Sequence, residues 1–193
     1  MKIGFDLDYT LAYFKVPYWV AANQMCGLKP FVPKEYGLHM FTEDVKNICF
    51  SLFMSEWYMV DLLVPYVNSL LTVSQLVSKG HDIIIITTRP KEVRPATINW
   101  VDKNLTLGSK NYVKDIFFVD EHNEKIDIFK REKIGVWVDD HPNNCVAAQN
   151  MGVSTFLVNQ PFNAYYVLPN VERINDTTEL FNYPFFDMVV RGS

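Results

Sequence analysis

Apolar positions follow two different periods along this chain. Short apolar runs read as strands at about residues 2–7 (Lys2-Ile3-Gly4-Phe5 onward), 81–86 (His81-Asp82-Ile83-Ile84-Ile85-Ile86), 116–119, 134–138 and 154–158. The isoleucine run shows no polar alternation and is bounded by Gly80 and a Thr87-Thr88-Arg89-Pro90 turn. It therefore predicts a strand buried on both faces. Between the strands the period lengthens to that of a helix. Tyr66, Val67, Leu70, Leu71, Val73, Leu76 and Val77 form one stripe over Val64 to Lys79, with Pro65 in the first turn and Gly80 at the C-terminal cap. Further helices are predicted over Pro95 to Asn104, Lys125 to Arg131, Asn143 to Met151 and, late in the chain, Thr177 to Asn182. Alternating strands and helices with apolar strands predict an α/β fold, a parallel sheet covered by helices on both faces.

One segment departs from that rhythm. Residues 13–62 are aromatic-rich and carry no strand period. Helices are predicted over Pro17 to Cys26, ended by Gly27, and over Thr42 to Phe53, where Thr42 is a cap candidate and Glu43 and Asp44 suit the first turn. Lys29-Pro30-Phe31-Val32-Pro33 breaks the two. The segment reads as a small helical subdomain inserted after the first strand. The expected division is a core of residues 1–12 and 76–193 with an inserted subdomain over 13–75.

Composition narrows the class. The 193 residues are 49% hydrophobic and 15% aromatic, enough for a sizeable core, and the formal net charge is −4. No basic run offers a footprint for a nucleic-acid polymer. No stretch approaches the roughly 20 apolar residues of a membrane span. No leader is visible, since an acid stands at position 6. Cys26, Cys49 and Cys145 are odd in number and widely spaced, which fits free thiols in a reducing compartment. These features predict a cytoplasmic chain whose partner is a small molecule; they are compatible with a homodimer. The closing Arg191-Gly192-Ser193 carries no weight.

The chemistry gathers at strand ends. In a parallel sheet the ligand site lies beyond the carboxyl ends of the strands. The first strand ends in Asp6, Asp8 and Thr10, the second in Thr87, Thr88 and Arg89, and the fourth in Asp139 and Asp140. Side chains alternate along a strand, so Asp6 and Asp8 share a face. Two acids so close need a cation between them, and oxygen ligands point to a hard one, Mg²⁺ first. Asp6 can act as metal ligand and as nucleophile toward phosphorus. Asp8 can protonate a leaving oxygen and later take a proton from water, with Thr10 holding it in place. Asp139 would complete the metal shell, while Asp140 is balanced between that site and a helix N-cap role. Thr87 offers a hydroxyl and neighbouring amides to phosphate oxygens, and Thr88 and Arg89 lie within reach of substrate. A lysine should neutralise the charge on phosphorus. Lys133 begins the fourth strand, six residues or roughly 20 Å from Asp139. Lys125 opens the preceding helix, on the strand-end side, and is the better candidate. Asp120, Glu121 and His122 read as a solvated turn. His39, His81 and His141 lack metal-like spacing, with His141 nearest the site.

Asp6-Leu7-Asp8-Tyr9-Thr10, the apolar strand ending in Thr87, Lys125, and Val136-Trp137-Val138-Asp139-Asp140 resemble the four ordered motifs of the haloacid dehalogenase superfamily of phosphotransferases. The match spans nearly the whole chain. It implies a Rossmann-like core with a helical cap, and a phosphatase rather than a dehalogenase, because the dehalogenases lack the second Asp of the first motif. It further implies an aspartyl-phosphate on Asp6, acid–base work by Asp8, phosphate binding by Thr87 and Lys125, and Mg²⁺ held by Asp6, the Asp8 carbonyl and Asp139. Tyr9 departs from the Gly common at its position. A finer resemblance is to 5′(3′)-deoxyribonucleotidases and related bacterial and phage nucleotidases, carried by Thr87-Thr88-Arg89-Pro90, Thr97-Ile98-Asn99-Trp100, Asp139 to Asn144, Phe156 to Asn163 and Pro169-Asn170-Val171. It implies a nucleoside monophosphate substrate. Cap aromatics Phe14, Tyr18, Trp19, Phe41 and Trp57 are available to stack a base, or to pack the cap's own core.

Overall fold

The computed structural model describes residues 1–27, 38, 41–55 and 57–186. In chain order the elements are β1 (Lys2–Phe5), β2 (Ala12–Tyr13), α1 (Lys15–Cys26), α2 (Glu43–Phe53), a π-helical turn at Tyr58–Leu62, β3 (Val64–Pro65), α3 (Ser69–Ser78) and β4 (Asp82–Thr87). There follow α4 (Arg94–Asn104), the short hairpin β5 (Thr106–Leu107) and β6 (Lys110–Asn111), β7 (Val113–Phe118), α5 (Lys125–Glu132), β8 (Ile134–Asp139), α6 (Pro142–Gln149), β9 (Ser154–Val158) and β10 (Glu172–Ile174). The break at 29–33, His39 and the closing residues 191–193 lie outside the described residues.

Six strands form one sheet in the order β10-β9-β8-β1-β4-β7, and every neighbouring pair is parallel. The chain builds outward from β1 through β4 to β7, then returns to lay β8 on the other side of β1. The strand order reverses between β1 and β8, and ligands in open α/β sheets bind at such a switch point. Ile83 to Ile86 are all 0% exposed, as a two-sided burial requires. Ile83 and Ile85 join one core with Ile3, Phe5, Val136 and Val138; Ile84 and Ile86 join a second with Phe129, Ile134 and Trp137. Val73, Leu76, Trp100 and Val101 bring α3 and α4 to the first face, while Ile128, Phe129 and Ala148 bring α5 and α6 to the second. Phe14, Tyr18, Trp19, Cys49, Leu52 and Tyr58 continue the first core, so the inserted helices share apolar packing with that face of the sheet.

Gly4 is required by its cross-strand neighbour. It pairs with Trp137, and a Cβ at this position would stand 2.7 Å from the indole Cε3. Gly4→Ala is expected to lower stability by about 1–3 kcal/mol through overpacking, read as a fall in Tm. An unchanged Tm would mean that the indole shifts freely.

The structure corrects the helix predicted from Val64 to Lys79. Val64 and Pro65 instead pair antiparallel with Tyr13 and Ala12, and the helix begins at Ser69. Proline disfavours helical backbone in the residue before it, which turns Val64 outward as strand. Tyr66 N–H donates to the Leu11 carbonyl at 3.0 Å and the Ser69 hydroxyl to the same carbonyl at 2.8 Å. These bonds bring the two ends of the insertion together, and α3 packs against β4. The late helix is a 3₁₀ turn at Thr177–Asn182. β10 was not predicted: three residues, Glu172-Arg173-Ile174, carry no period and are strand only because β9 offers its edge.

Candidate active site

Asp6 follows the last residue of β1, and its N–H donates to the Val138 carbonyl at 2.9 Å, so it remains registered with β8. Its carboxylate is buried, with Oδ1 accepting from Lys125 Nζ at 2.5 Å. Lys125 Nζ also donates to Asp139 Oδ2 at 3.2 Å and sits 4.9 Å from the centroid of the Trp137 ring. Its side chain is 1% exposed. α5 thus delivers one ammonium between the acids of two adjacent strands, whereas Lys133 is exposed at the far end of β8.

Asp139 is held from several sides. Oδ2 also accepts from Trp137 Nε1 at 3.1 Å and Asn144 Nδ2 at 2.8 Å, and Oδ1 accepts from the His141 backbone N–H at 2.7 Å. Asp140 is equally buried, yet its only side-chain donor among the described residues is the Thr10 hydroxyl at 3.3 Å. One carboxylate oxygen each of Asp6, Asp139 and Asp140 lies within 4.8 Å of the other two. Asp6 is raised to about 7, chiefly by burial and further by Asp139 and Asp8, against the opposing pull of Lys125. Burial, then Asp139 and Asp6, raises Asp140 well above the carboxylate range. Burial alone would lower Lys125, but Asp139 and Asp6 hold it above its ordinary value. Three buried acids facing one ammonium leave two negative charges uncompensated when ionised, the deficit that a divalent cation fills. The donor set, all oxygen, suits Mg²⁺, and among the described residues Asp6 Oδ2 and Asp140 Oδ2 each lack a side-chain donor.

Asp8 is half-buried, and the turn after it decides what it meets. Tyr9 has φ +60°, in the left-handed region, at the position where Gly is common in the resembled family. That turn breaks strand alternation. Thr10 consequently points to Asp140 rather than holding Asp8, a correction to the sequence reading. Arg89 holds Asp8 instead, with Nε donating to Oδ2 at 2.8 Å and Nη2 to Oδ1 at 2.5 Å. Gln160 Nε2 donates to the Tyr9 carbonyl and Asn163 Nδ2 to the Asp140 carbonyl, so the tail of β9 braces both acid-bearing turns.

A cavity of about 110 Å³ lies over these groups, lined in part by Asp6, Asp8, Thr87, Thr88, Asp139 and Asp140. That space admits a phosphate-sized group and is smaller than the roughly 300 Å³ at which whole-ligand pockets begin. Among the expected aromatics Phe14 lines it, together with Tyr9 and Phe53. Trp19 does not: it packs edge-on to Tyr18 and tilted on Phe41, and its indole hydrogen-bonds Tyr9. Tyr18 donates its hydroxyl to the Cys49 carbonyl at 2.6 Å, and Trp57 is exposed away from the cavity. Sequence reasoning overlooked Asn144 and Phe53 as site residues and set His122 aside. His122 stands in the solvated turn, yet it lines the cavity and stacks on His141 with centroids 4.8 Å apart. Burial lowers both imidazoles. Only the position of Asn144 in the first turn of α6, five residues after Asp139, could have signalled its role.

No family model matches the chain. A Bacillus cereus protein named "Putative nucleotidase" is 28% identical over 196 aligned residues, covering 93% of this chain and 96% of the relative. A Deinococcus radiodurans HAD family hydrolase, solved with bound phosphate and sodium, superposes with a TM-score of 0.66 at 13% identity, over 99% of this chain and 98% of that one. A Haemophilus somnus protein described as a predicted phosphoglycolate phosphatase gives a TM-score of 0.62 at 16% identity, over 93% and 96%. Among the described residues no helix is long and apolar enough to cross a membrane. The parallel sheet with acids at its switch point has the haloacid dehalogenase fold of these solved structures, and in sequence the chain is similar to bacterial proteins named as nucleotidases.

Proposed function

We propose that this chain is a Mg²⁺-dependent phosphomonoesterase that hydrolyses nucleoside monophosphates, deoxynucleotides among them, through an aspartyl-phosphate on Asp6. The observation that carries the reading is the convergence of Asp6, Asp139 and Asp140 around the buried Lys125 ammonium, beside Asp8 and Thr87. Lys125 engages Asp6 Oδ1, which leaves Oδ2 to attack phosphorus. An oxygen–phosphorus bond forms, the ester P–O bond breaks, and its electron pair goes to the leaving oxygen, which takes a proton from Asp8. Water then adds to phosphorus and gives its proton to Asp8. The bond from phosphorus to Asp6 breaks, returning the carboxylate and releasing phosphate. Thr87, Thr88 and Lys125 bind the phosphoryl oxygens. Asp6, the Asp8 carbonyl and Asp139, with Asp140 beside them, would hold Mg²⁺, whose positive charge offsets that of the phosphate.

The segment 13–75 works in this reading as a cap that excludes water and selects the substrate. Phe14 and Phe53 of this segment, with Tyr9 of the turn after β1, make an aromatic wall for a base or sugar, and the names of the sequence relatives support a nucleotide. The small cavity favours a second reading, a smaller phosphate such as a sugar phosphate. The test is phosphate release from a panel of ribo- and deoxyribonucleoside monophosphates and sugar phosphates, with Mg²⁺ and with EDTA. Turnover of nucleotides that stops in EDTA is expected. Turnover of sugar phosphates alone would replace the substrate, and no turnover of any phosphate would favour a silent phosphate-binding module. Mg²⁺ without substrate is also expected to raise Tm, since it binds only the folded acid cluster.

A further inference from the structure

Arg89 stands in a strand-end turn, where a cation facing solvent or substrate would be ordinary. It is 2% exposed and turned inward. Its Nε and Nη2 occupy both oxygens of Asp8, the planar two-point pairing that a guanidinium makes and an ammonium cannot. Its backbone N–H donates to Thr87 Oγ1 at 3.3 Å, so the same turn carries Arg89 and a phosphate-facing hydroxyl. The Phe53 ring, at the end of α2, lies with its centroid 5.6 Å from the guanidinium carbon. The Arg89 side chain is 1% exposed while that of Asp8 keeps 20%, so the acid, not the arginine, presents itself to the cavity.

We infer that Arg89 is a positioning residue for Asp8 rather than a substrate-binding cation, and that it passes from a two-point to a one-point hold during turnover. The inference rests on the phosphomonoesterase reading above. A carboxyl that protonates a leaving oxygen must turn one of its oxygens, bearing hydrogen, toward that oxygen. With both oxygens accepting N–H donors, one lone pair of each is taken and the fork favours the ionised carboxyl over the protonated acid. Release of one N–H frees an oxygen, and the remaining bond keeps the carboxyl aimed. Phe53 ties the room for that movement to the place of α2.

The leaving group provides the test. A nucleoside 5′-monophosphate releases an alkoxide that needs a proton, whereas p-nitrophenyl phosphate releases an aryl oxide that does not. The quantity read is kcat/KM, which reports only the steps through release of the alcohol. Arg89→Gln is expected to lower kcat/KM on the nucleotide by about 10²-fold or more, yet on the aryl phosphate by less than about fivefold. Nitrophenol should appear as a burst, since attack of water on the phosphoenzyme also uses Asp8. Arg89→Lys, keeping one donor, should recover at least about tenfold of the loss on the nucleotide. Turnover of the aryl phosphate within each variant shows that the site is folded, and a melting curve adds a second check. Equal losses on both substrates, or a rise in KM at unchanged kcat, overturn the inference. Where the wild type hydrolyses only sugar phosphates, a sugar phosphate takes the nucleotide's place and the comparison stands. A wild type inactive on every phosphate sinks the enzymatic reading and the inference with it.

Discussion

Asp6→Asn is expected to abolish turnover, by roughly 10⁴-fold or more, while the protein remains folded. Asn fills the same volume but has no carboxylate oxygen to form the phosphoenzyme. Lys125 retains Asp139 as its partner at 3.2 Å, so the variant leaves no unpaired buried ammonium. The measurement is phosphate release alongside acid-quenched protein from a labelled substrate. Label should remain on the wild type and be absent from the variant. Label retained by Asp6→Asn would place the nucleophile elsewhere. A variant with undiminished turnover would point to direct attack by water.

Lys125→Met is expected to cost both activity and stability. The ammonium lies 2.5 Å from Asp6 Oδ1 and 3.2 Å from Asp139 Oδ2, with Asp140 adjacent and equally buried. Removing it leaves these carboxylates facing one another without a cation. Breaking a buried pair in this way costs about 3–5 kcal/mol. For a chain of this length that is a fall in Tm on the order of 10 °C. Turnover should drop by about 10²–10³-fold, the usual loss for one charge-stabilising donor. Mg²⁺ should return part of the lost Tm, because a divalent ion meets the same charge deficit, and EDTA should remove that gain. An unchanged Tm without metal would mean that the lysine does not balance the acids.

Much of the fold was legible because parallel strands are buried on both faces. Ile83 to Ile86 read as such a strand because a short β-branched run closed by Gly80 and the Thr87-Thr88-Arg89-Pro90 turn is too short for a buried helix, and all four are buried. The helix predicted over 125–131 and the strand over 134–138 stand within one residue of those bounds, at Lys125–Glu132 and Ile134–Asp139. Val64 and Pro65 were misread because the hydrophobic stripe was weighed above the effect of proline on the residue before it. β10 could not be found at all, as its strand character comes from its partner.

The candidate site divides in the same manner. Asp6, Asp8, Thr87 and Asp139 were readable because strand ends are where an α/β sheet presents polar groups, whatever the details of packing. The pairings were not. The Arg89–Asp8 fork joins residues 81 positions apart. Thr10 turned to Asp140 because Tyr9 adopts a left-handed backbone. Phe14 and Trp19 are alike in sequence context, but only Phe14 lines the cavity, while Trp19 is turned into the core and hydrogen-bonds Tyr9.

By itself the amino-acid order determined which strands are buried, which acids stand at their ends and that a helical segment interrupts the chain after β1. These follow from periodicity and from alternation along a strand, which are local properties. The tertiary structure alone decided that Lys125 bridges Asp6 and Asp139, that Thr10 turns to Asp140, and that Arg89 grips Asp8 under Phe53. Those are contacts between distant elements. Their geometry depends on how strands register and where one turn bends, which no local pattern encodes.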